Sequence, residues 1–375
     1  MATTHSVYLV PGFFGFANLG EFYYFNHLYD ELSLLLEARG LKAEVFRVPT
    51  HPTASTRRRA LRLFEAIERT AGGDGPIHLI CHSSGGLDAR LLVSPGAELD
   101  HQVDTEPIAK RVRTVVTLAC PHRGTPLASF FAGAFGIELL RLLSLATVYV
   151  LRYGHLPLSF FFKLSSLVTK LDNSVGWKDT LIDQLFLQLL SDFSPERRDV
   201  VRRFFEEVGA EQALILQLTP ESMDVFNASC RDRKEVAYGS VVTRAHPPTP
   251  RLFLSTWNPY LLATRAIYGV LHYQASRQPG ASVERPSHEH AAALRRAFGR
   301  MPRKGANDGV VPTLSQPWGE VLAAVEADHL DVIGHFDDRH TNPPHIDWLS
   351  TGTGFTREAF EDTCRKIVAF MAAHS

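Results

Sequence analysis

The sequence of 375 residues predicts an α/β fold built on an open, mostly parallel β-sheet. Short apolar runs alternate with amphipathic helical patterns along the first third of the chain, which is typical of parallel strands joined by right-handed helical crossovers. Residues 112–118 are almost all apolar or β-branched, as expected of a strand that helices cover on both faces. A composition of 45% hydrophobic and 21% charged residues provides the core material for such a fold.

The first predicted elements are a strand, a helix and a second strand. Residues 7–10 form an apolar run typical of a buried strand. Leucines then recur at helical spacing from Leu28 to Leu36, and Gly40 stands where a helix C′ residue belongs. Residues 43–48 resume a strand pattern, which completes a strand–helix–strand unit.

A second helix and a third strand follow. Ser55 or Thr56 can cap this helix, and apolar residues line one of its faces as far as Ala71. The arginine run at 57–59 lies on the helix and is interpreted as a solvated face rather than a phosphate site. Residues 77–82 form the third strand of the predicted sheet.

Strand patterns stop in the middle of the chain, where apolar helical segments follow one another. We therefore assign residues 1–124 to the first part of a core, 125–230 to an inserted helical cap or lid, and 231–375 to the remainder of the core. The stretch 245–286 is rich in Pro and aromatic residues and either belongs to the cap or covers the sheet. Strand patterns at 236–243 and 321–325 complete the sheet, and a closing helix begins after Thr356.

The apolar excess of the cap has two interpretations. Charged residues interrupt its apolar stretches before they reach the roughly 18 to 20 residues that span a membrane, so no transmembrane segment is predicted. The apolar residues either pack onto the sheet domain or form a lid that contacts a lipid interface or a long acyl chain transiently.

Composition and charge exclude several classes of protein. A formal net charge of −1 provides no positive surface for nucleic acid. The four cysteines are widely spread without a C-x-x-C pair, so neither a zinc cluster nor a disulfide framework is predicted. The first residues lack the basic and apolar regions of a signal peptide. The sequence alone therefore favours a cytoplasmic protein, or a secreted one if the chain is a mature form.

The residues that end the third strand have the pattern of a nucleophile elbow. The run Cys81-His82-Ser83-Ser84-Gly85 matches G-x-S-x-G, with Cys in place of the first Gly. In this motif a tight strand-to-helix turn lifts the Ser hydroxyl above the sheet edge, and its neighbours are small because the backbone is crowded there. Ser83 is therefore the candidate nucleophile. The alternative is an ordinary turn in which the glycines end a strand.

A nucleophilic serine requires a histidine base, and the base requires a carboxylate that fixes its tautomer. With an elbow of this type, the acid follows the serine along the chain and the histidine comes last. Asp308 lies in a loop at 307–312, and His329 follows the last predicted strand. Because both lie in loops beside late strands, the sequence predicts a triad of Ser83, Asp308 and His329.

Other side chains compete for these two roles. Asp328 and Asp331 lie within two residues of His329, a separation that rarely lets a carboxylate reach the far ring nitrogen. Rival bases lie in the loop after His329, at His335, His340 and His345. His82 precedes Ser83 on the strand, and we expect it to point away from the serine and to pack.

The negative charge of the transition state also needs hydrogen-bond donors. The amide of Ser84 follows the nucleophile and is the first candidate. The second is the amide of Phe13, in the loop after the first strand, where Pro11 and Gly12 precede it. The alternative role of these residues is an ordinary tight turn.

Taken in order, these segments resemble the bacterial true lipases, which are α/β hydrolases acting on triacylglycerols and other long-chain esters. The matching segments are 10–13, 82–90, 121–125, 218–227, 307–311 and 328–334. The last of these is most similar to the thermoalkalophilic branch, whereas Pro11 replaces the usual His of the first. The resemblance implies an α/β-hydrolase fold, with a mostly parallel central sheet, helices on both faces and an inserted cap or lid.

The resemblance also implies metal sites. The family binds a structural calcium ion near the catalytic histidine, partly through the acidic residue two positions after it, which here is Asp331. Asp337 is the second candidate ligand, although it lies one residue later than the family pattern, where Phe336 stands. The chain lacks the zinc-binding insertion of the thermoalkalophilic branch, so no zinc is predicted, and the chemistry requires no cofactor.

The sequence thus predicts a serine carboxylic ester hydrolase, a lipase or long-chain esterase with a lipid or other apolar ester as substrate. One alternative uses the same residues for acyl transfer or for hydrolysis of a polyester or phospholipid. Another, from a different class, is a noncatalytic module that binds lipid or a partner protein through the apolar cap.

Overall fold

A computed structural model of the chain describes residues 4–13, 24–25, 27–101, 103–133, 211–254, 256–277, 286–338 and 351–375, with scattered positions between 159 and 199. The strands described are β1 (His5–Val10), β2 (Ala43–Arg47), β3 (Ile77–His82), β4 (Val112–Leu118), β5 (Ala237–Arg244) and β6 (Glu320–Glu326). They form one sheet in the order β2-β1-β3-β4-β5-β6, and every pairing between them is parallel. The predicted parallel sheet is confirmed.

Helices follow most strands in the described parts of the chain. They are α1 (Leu28–Ala38), α2 (Thr56–Thr70), α3 (Gly85–Val93), α4 (Glu106–Ala109), α5 (Pro126–Phe131), α6 (Ala213–Gln217), α7 (Pro220–Ser229), α8 (Pro250–Leu254), α9 (Pro259–Ser276), α10 (His288–Phe298) and α11 (Arg357–Ala373). The helix α10 was not predicted from the sequence. It begins at a Ser287 cap and packs Leu294 against Val242 of β5.

Two hydrophobic cores lie on opposite faces of the sheet. Alternation along β1 sends Val7 and Leu9 into a core with α1 and α11, whereas Tyr8 and Val10 enter a core with α2 and α3. All four side chains are fully buried. Each such burial contributes about 1.5–3 kcal/mol. The period-two pattern of the strands therefore produces three layers, helix on sheet on helix.

Side-chain caps fix where the helices begin. Ser55 accepts a hydrogen bond from the Arg58 amide at the start of α2, and Thr356 accepts one from the Ala359 amide at the start of α11. Both caps agree with the sequence patterns. Capping side chains satisfy amides that have no partner within the helix, so each start position is set locally.

The parallel sheet brings several loops to one edge. All six strands run in the same direction, so Val10, His82, Arg244 and Glu326 end β1, β3, β5 and β6 at the same side of the sheet. Ligand sites of open parallel sheets lie at this carboxyl edge. Phe13, Ser83 and His329 lie just after β1, β3 and β6 at this edge, and Asp308 lies beside the end of β5, where Thr243 donates to it.

Residues 134–158, 160–183 and 200–210, more than half of the predicted cap, lie outside the described residues, so the division of the chain at 124 and 230 stays a prediction. The described residues of this part include α5, α6 and α7. The stretch 245–286 contains α8 and α9, of which α9 contacts α5. None of the described helices is long and apolar enough to cross a membrane.

Candidate active site

Ser83 lies on a sharp turn between β3 and α3. Its φ of 52° is in the left-handed region, which costs a residue with a side chain about 1–3 kcal/mol. Gly85 makes the turn possible, because a Cβ there would lie 2.6 Å from the carbonyl oxygens of Val10 and Pro11. Cys81 is buried in β3 and does not prevent the turn. The strained serine at a crowded strand-to-helix turn has the form of a nucleophile elbow.

The structure brings the three residues of the predicted triad together. His329 Nε2 lies 3.0 Å from Ser83 Oγ, and His329 Nδ1 lies 2.9 Å from Asp308 Oδ2. Asp308 is fully buried, whereas Ser83 and His329 are 5% and 7% exposed. One ring nitrogen therefore faces the serine hydroxyl and the other faces a carboxylate.

Several donors hold the carboxylate of Asp308 in this position. Its Oδ1 accepts hydrogen bonds from the amides of Val310 and Val311 at 2.9 and 2.7 Å. Its Oδ2 accepts one from the Thr243 hydroxyl at 2.7 Å and one from Gln316 Nε2 at 3.3 Å. These four donors satisfy the buried carboxylate and hold it in one orientation.

Sequence reasoning did not find Thr243 and Gln316. Thr243 lies near the end of β5, and Gln316 follows the acid loop. Both are fully buried polar residues. The only local signal was a polar side chain near the carboxyl end of a buried strand, a pattern that many strands share.

The rival acids and bases have other partners. Asp328 accepts from the amides of Leu330 and Asp331, and Asp331 accepts from the amide of Asp328. His335 Nε2 donates to the carbonyl of Tyr24. The other two rival bases, His340 and His345, lie outside the described residues.

The loop that carries Phe13 lies directly against the nucleophile. A Cβ on Gly12 would lie 2.5 Å from Ser83 Cβ, so only glycine fits between the loop and the serine. The Gly12 amide donates to Tyr24 Oη at 3.0 Å, which leaves Phe13 as the candidate oxyanion donor of this loop. Ser84 follows the nucleophile as the first turn of α3 begins.

The interpretation of residues 57–59 as a solvated face is wrong for Arg59. Arg57 and Arg58 are exposed, but Arg59 is fully buried and its Nε donates to Asp88 Oδ2 at 2.9 Å. Its Nη2 donates to the carbonyl oxygens of Pro11 and Gly12 at 2.7 and 3.2 Å. The third arginine of the run therefore holds the loop after β1, a contact that helical periodicity could not indicate.

The carboxyl of Asp88 predicts a pH dependence of stability. Burial raises its pKa to about 6 although the Arg59 guanidinium lowers it, and its buried Oδ1 has no hydrogen-bond partner among the described residues. An unfolded Asp titrates near pH 3.9, so between about pH 4 and 6 the folded protein holds a proton that the unfolded chain has released. The free energy of unfolding should therefore fall by about 3 kcal/mol as pH rises through this window.

Thermal unfolding of the wild type and of Asp88→Asn at pH values across this window measures the effect. We expect a smaller decline in Tm between about pH 4 and 6 in the asparagine variant than in the wild type, while the raised pKa values of Asp328 and Asp331 contribute the same decline to both proteins. The control is Asp362→Asn, since Lys366 lowers the pKa of that carboxyl and moves its titration below the window. An identical decline in the wild type and in Asp88→Asn would contradict the assignment.

The expected calcium ligands differ in their surroundings. Asp331 is buried, and its Oδ2 accepts from the Asp328 amide at 2.8 Å and from the Thr353 hydroxyl at 3.2 Å. Asp337 is exposed. Within the described ranges, no three His, Cys, Asp or Glu side chains are grouped so that they could hold a metal ion. Of the two expected ligands, only Asp331 is buried beside the segment of His329.

Comparison with known proteins identifies the fold. No protein-family model and no curated protein matches the chain. The structure is similar to EstA from Clostridium botulinum, at 17% identity and a TM-score of 0.53 over 97% of this chain and 87% of that one. It is similar to lipase 1 from Pelosinus fermentans, at 17% identity and a TM-score of 0.53 over 100% and 99% of the two chains. Staphylococcus hyicus lipase matches at 16% identity and a TM-score of 0.50, over 98% and 95%. Together with the parallel sheet and its flanking helices, these similarities show that the chain has the α/β-hydrolase fold.

Proposed function

We propose that the protein is a serine carboxylic ester hydrolase, a lipase or long-chain esterase that acts through an acyl-enzyme on Ser83. The observation that carries the proposal is the continuous chain of hydrogen bonds from Ser83 Oγ through the His329 ring to Asp308. A hydroxyl, an imidazole and a buried carboxylate in this order can generate a nucleophile near neutral pH. In α/β hydrolases the nucleophile stands on a strand-to-helix elbow, so the position of Ser83 between β3 and α3 supports this assignment.

Each residue of the chain has a distinct task. His329 Nε2 accepts the Ser83 proton while Oγ forms a bond to the ester carbonyl carbon, and the carbonyl electron pair moves onto its oxygen. The amides of Phe13 and Ser84 stabilise that oxyanion. When the intermediate collapses, the bond to the alcohol oxygen breaks and the alcohol leaves with the proton from His329. Water then repeats these steps on the acyl-enzyme and releases the acid.

Asp308 keeps the base in the tautomer that this reaction needs. Its Oδ2 accepts the Nδ1 proton of His329, so the lone pair of Nε2 faces the Ser83 hydroxyl. As His329 gains a second proton, the buried carboxylate also stabilises the imidazolium. The acid therefore lowers the barrier without becoming protonated itself.

Apolar surroundings support an apolar ester as substrate. Phe13 packs against a buried apolar cluster that α3 shares with segments of the predicted cap, helices α6 and α7 among them; the cluster comprises Leu87, Cys120, Ala128, Leu214, Leu218 and Met223. On the same two helices Leu216 and Val225 are 60% and 71% exposed, which supports a transient contact with a lipid interface. Two of the similar structures are lipases by name.

Hydrolysis of a graded series of p-nitrophenyl esters, from short to long acyl chains, tests the proposal. We expect kcat/KM to rise toward the longer chains because their burial adds binding energy. The series is repeated with an alcohol acceptor, since dominant transfer to the alcohol would assign an acyltransferase instead. Polyester and phospholipid substrates test the remaining ester classes. A protein that hydrolyses none of these esters would contradict the proposal.

The relationship to the bacterial true lipases, and to their thermoalkalophilic branch, is part of this proposal and rests on the matching sequence segments.

A structural calcium ion near His329 is also part of the proposal. Burial raises the pKa of Asp328 to about 7, and burial with the neighbouring Asp328 charge raises that of Asp331 well above its usual value. Two neighbouring buried carboxylates repel each other when both are ionised, so binding a proton or a cation between them is favourable.

If calcium is bound, these two carboxylates would hold it beside the segment that carries His329, in a structural role. Chelation with EDTA should then lower Tm, because losing an ion present at 100 times its Kd removes about 2.7 kcal/mol. The Asp331→Asn variant should not respond to EDTA. An unchanged Tm together with no metal detected in the purified protein would exclude the ion.

A further inference from the structure

Tyr24 and His82 form a buried chain of hydrogen bonds next to the proposed triad. Tyr24 Oη lies 2.7 Å from His82 Nδ1 and accepts a hydrogen bond from the Gly12 amide at 3.0 Å. His82 Nε2 lies 2.8 Å from the backbone carbonyl oxygen of His329. His82 is fully buried and Tyr24 is 8% exposed. The proposed reaction steps use neither side chain.

The direction of every hydrogen bond in this chain is fixed. A carbonyl oxygen can only accept, so His82 Nε2 carries the proton that it donates to His329. Burial and the nearby His329 ring lower the pKa of His82 well below its usual value, so the ring is neutral and Nδ1 is an acceptor. Tyr24 therefore donates its hydroxyl proton to Nδ1 while its oxygen accepts from Gly12. The chain runs without interruption from the loop after β1 to the backbone of His329.

The two ends of this chain are the two parts that must be aligned on the nucleophile. Gly12 precedes Phe13, the candidate oxyanion donor, and lies against Ser83. At the other end, the carbonyl belongs to His329 itself, whose ring lies 4.7 Å from the ring of His82. The expectation that His82 points away and packs is therefore incomplete, because the ring joins both sides of the site.

Building on the proposed function, we propose that Tyr24 and His82 are positioning residues that hold the oxyanion loop and the base His329 in register with each other across Ser83. A further hydrogen bond holds the backbone of Tyr24 in place, since His335 Nε2 donates to its carbonyl oxygen at 2.9 Å. A displacement of about 1 Å between reacting groups costs about 100-fold in rate. A chain of three short hydrogen bonds restricts such displacements.

Ordinary core packing is the alternative role for these two side chains. Packing alone requires only volume, and phenylalanine fills the space of tyrosine. A packing role therefore predicts a change in Tm without a specific change in kcat. A positioning role predicts a lower kcat with KM nearly unchanged, because the substrate still binds while the reacting groups are misaligned.

The test compares Tyr24→Phe with Tyr8→Phe in the full chain. Tyr8 is a matched control because it is a fully buried tyrosine on β1 that lies outside the site. Its hydroxyl makes a hydrogen bond of 2.8 Å with the Thr70 hydroxyl. We expect Tyr24→Phe to lower kcat about tenfold to 100-fold, with KM within about twofold, and Tyr8→Phe to leave kcat within about twofold. Equal effects of the two variants on kcat, or no effect of either, would overturn the inference.

Substitutions of His82 test the chain independently of Tyr24. Glutamine can donate to the His329 carbonyl through its amide nitrogen and accept from Tyr24 through its oxygen, whereas leucine can do neither. His82→Gln should therefore retain at least about five times the kcat of His82→Leu. If His82→Leu does not fold, the kcat of His82→Gln alone tests the chain of hydrogen bonds. A kcat within about fivefold of wild type supports the chain, and a kcat lower by about 100-fold or more contradicts it.

These outcomes are separate from those of the proposed function. If the wild type hydrolyses no ester, the proposed function is contradicted. If the wild type is active and Tyr24→Phe is as active as the control Tyr8→Phe, only the positioning role is contradicted. In the double variant Tyr24→Phe/His82→Leu, a shared chain predicts a loss no larger than that of the more damaging single variant, because either break interrupts it.

Discussion

Replacing Ser83 with alanine is expected to lower kcat for ester hydrolysis by about 10⁴-fold to 10⁶-fold. In the proposed reaction this hydroxyl supplies the atom that bonds to the substrate, and no other hydroxyl of the described residues hydrogen-bonds His329 Nε2. Alanine adds no atoms to the crowded turn, so we expect a Tm close to that of the wild type. The remaining activity would reflect substrate binding and the oxyanion donors.

Steady-state kinetics on a p-nitrophenyl ester, with thermal unfolding of the same samples, measures this effect. Ser33→Ala is a suitable control, because the Ser33 hydroxyl donates to the Tyr29 carbonyl within α1 and lies outside the site. Ester hydrolysis near the wild-type level by Ser83→Ala would show that Ser83 is not the nucleophile.

Replacing Asp308 with asparagine is expected to lower kcat by about 10⁴-fold. The amide nitrogen of asparagine can donate to His329 Nδ1, which would favour the tautomer with its proton on Nε2. That tautomer cannot accept the Ser83 proton, and the imidazolium also loses its buried counter-charge. Val310 and Val311 still donate to the side-chain oxygen, whereas Thr243 and Gln316 then face the amide nitrogen, so Tm is measured together with kcat.

Asp331→Asn provides the comparison for this variant. Asp331 is buried and lies two residues after His329 in the sequence. Its Oδ2, however, accepts hydrogen bonds from the Asp328 amide and the Thr353 hydroxyl. We expect its kcat to stay within about tenfold of wild type, since it does not set the tautomer of the base. A larger loss of kcat in Asp331→Asn than in Asp308→Asn would transfer the role of the acid to Asp331.

The sequence predicted those parts of the fold and site that local patterns determine. The strand, small residues and helix around Ser83 predicted a strand-to-helix turn, and the structure has Ser83 there at a φ of 52°. Asp308 and His329 were chosen by chain order and by their loops, and the structure places both beside Ser83. In a parallel sheet, such loops meet at one edge whatever their separation in sequence.

The residues that hold the site together could not be predicted in the same way. Arg59 looked solvated because its neighbours Arg57 and Arg58 are, yet it is buried beneath the loop after β1. The roles of Tyr24 and His82 depend on hydrogen bonds to residues far along the chain. No periodicity or short motif encodes such pairings, because they exist only once the strands have assembled.

Cys81 and Pro11 are the two positions at which the site departs from the lipase pattern that the sequence resembles. Cys81 replaces a glycine, but it is a buried strand residue, and the turn forms two positions later at Ser83, where Gly85 allows the close approach of the loop after β1. Pro11 replaces a histidine, and its carbonyl accepts a hydrogen bond from Arg59. In both cases the contacts at the site use a backbone group or a neighbouring glycine rather than the side chain at the position itself.

Covalent labelling with a fluorophosphonate tests the central claim most directly, because the reagent reacts with an activated serine whatever the natural substrate is. We predict one adduct per chain, located on the peptide that contains Ser83, and none in Ser83→Ala. We also predict that Asp308→Asn reacts about 10³-fold to 10⁴-fold more slowly than the wild type. A wild-type protein that stays unlabelled, or that is labelled equally in Ser83→Ala, would contradict the account.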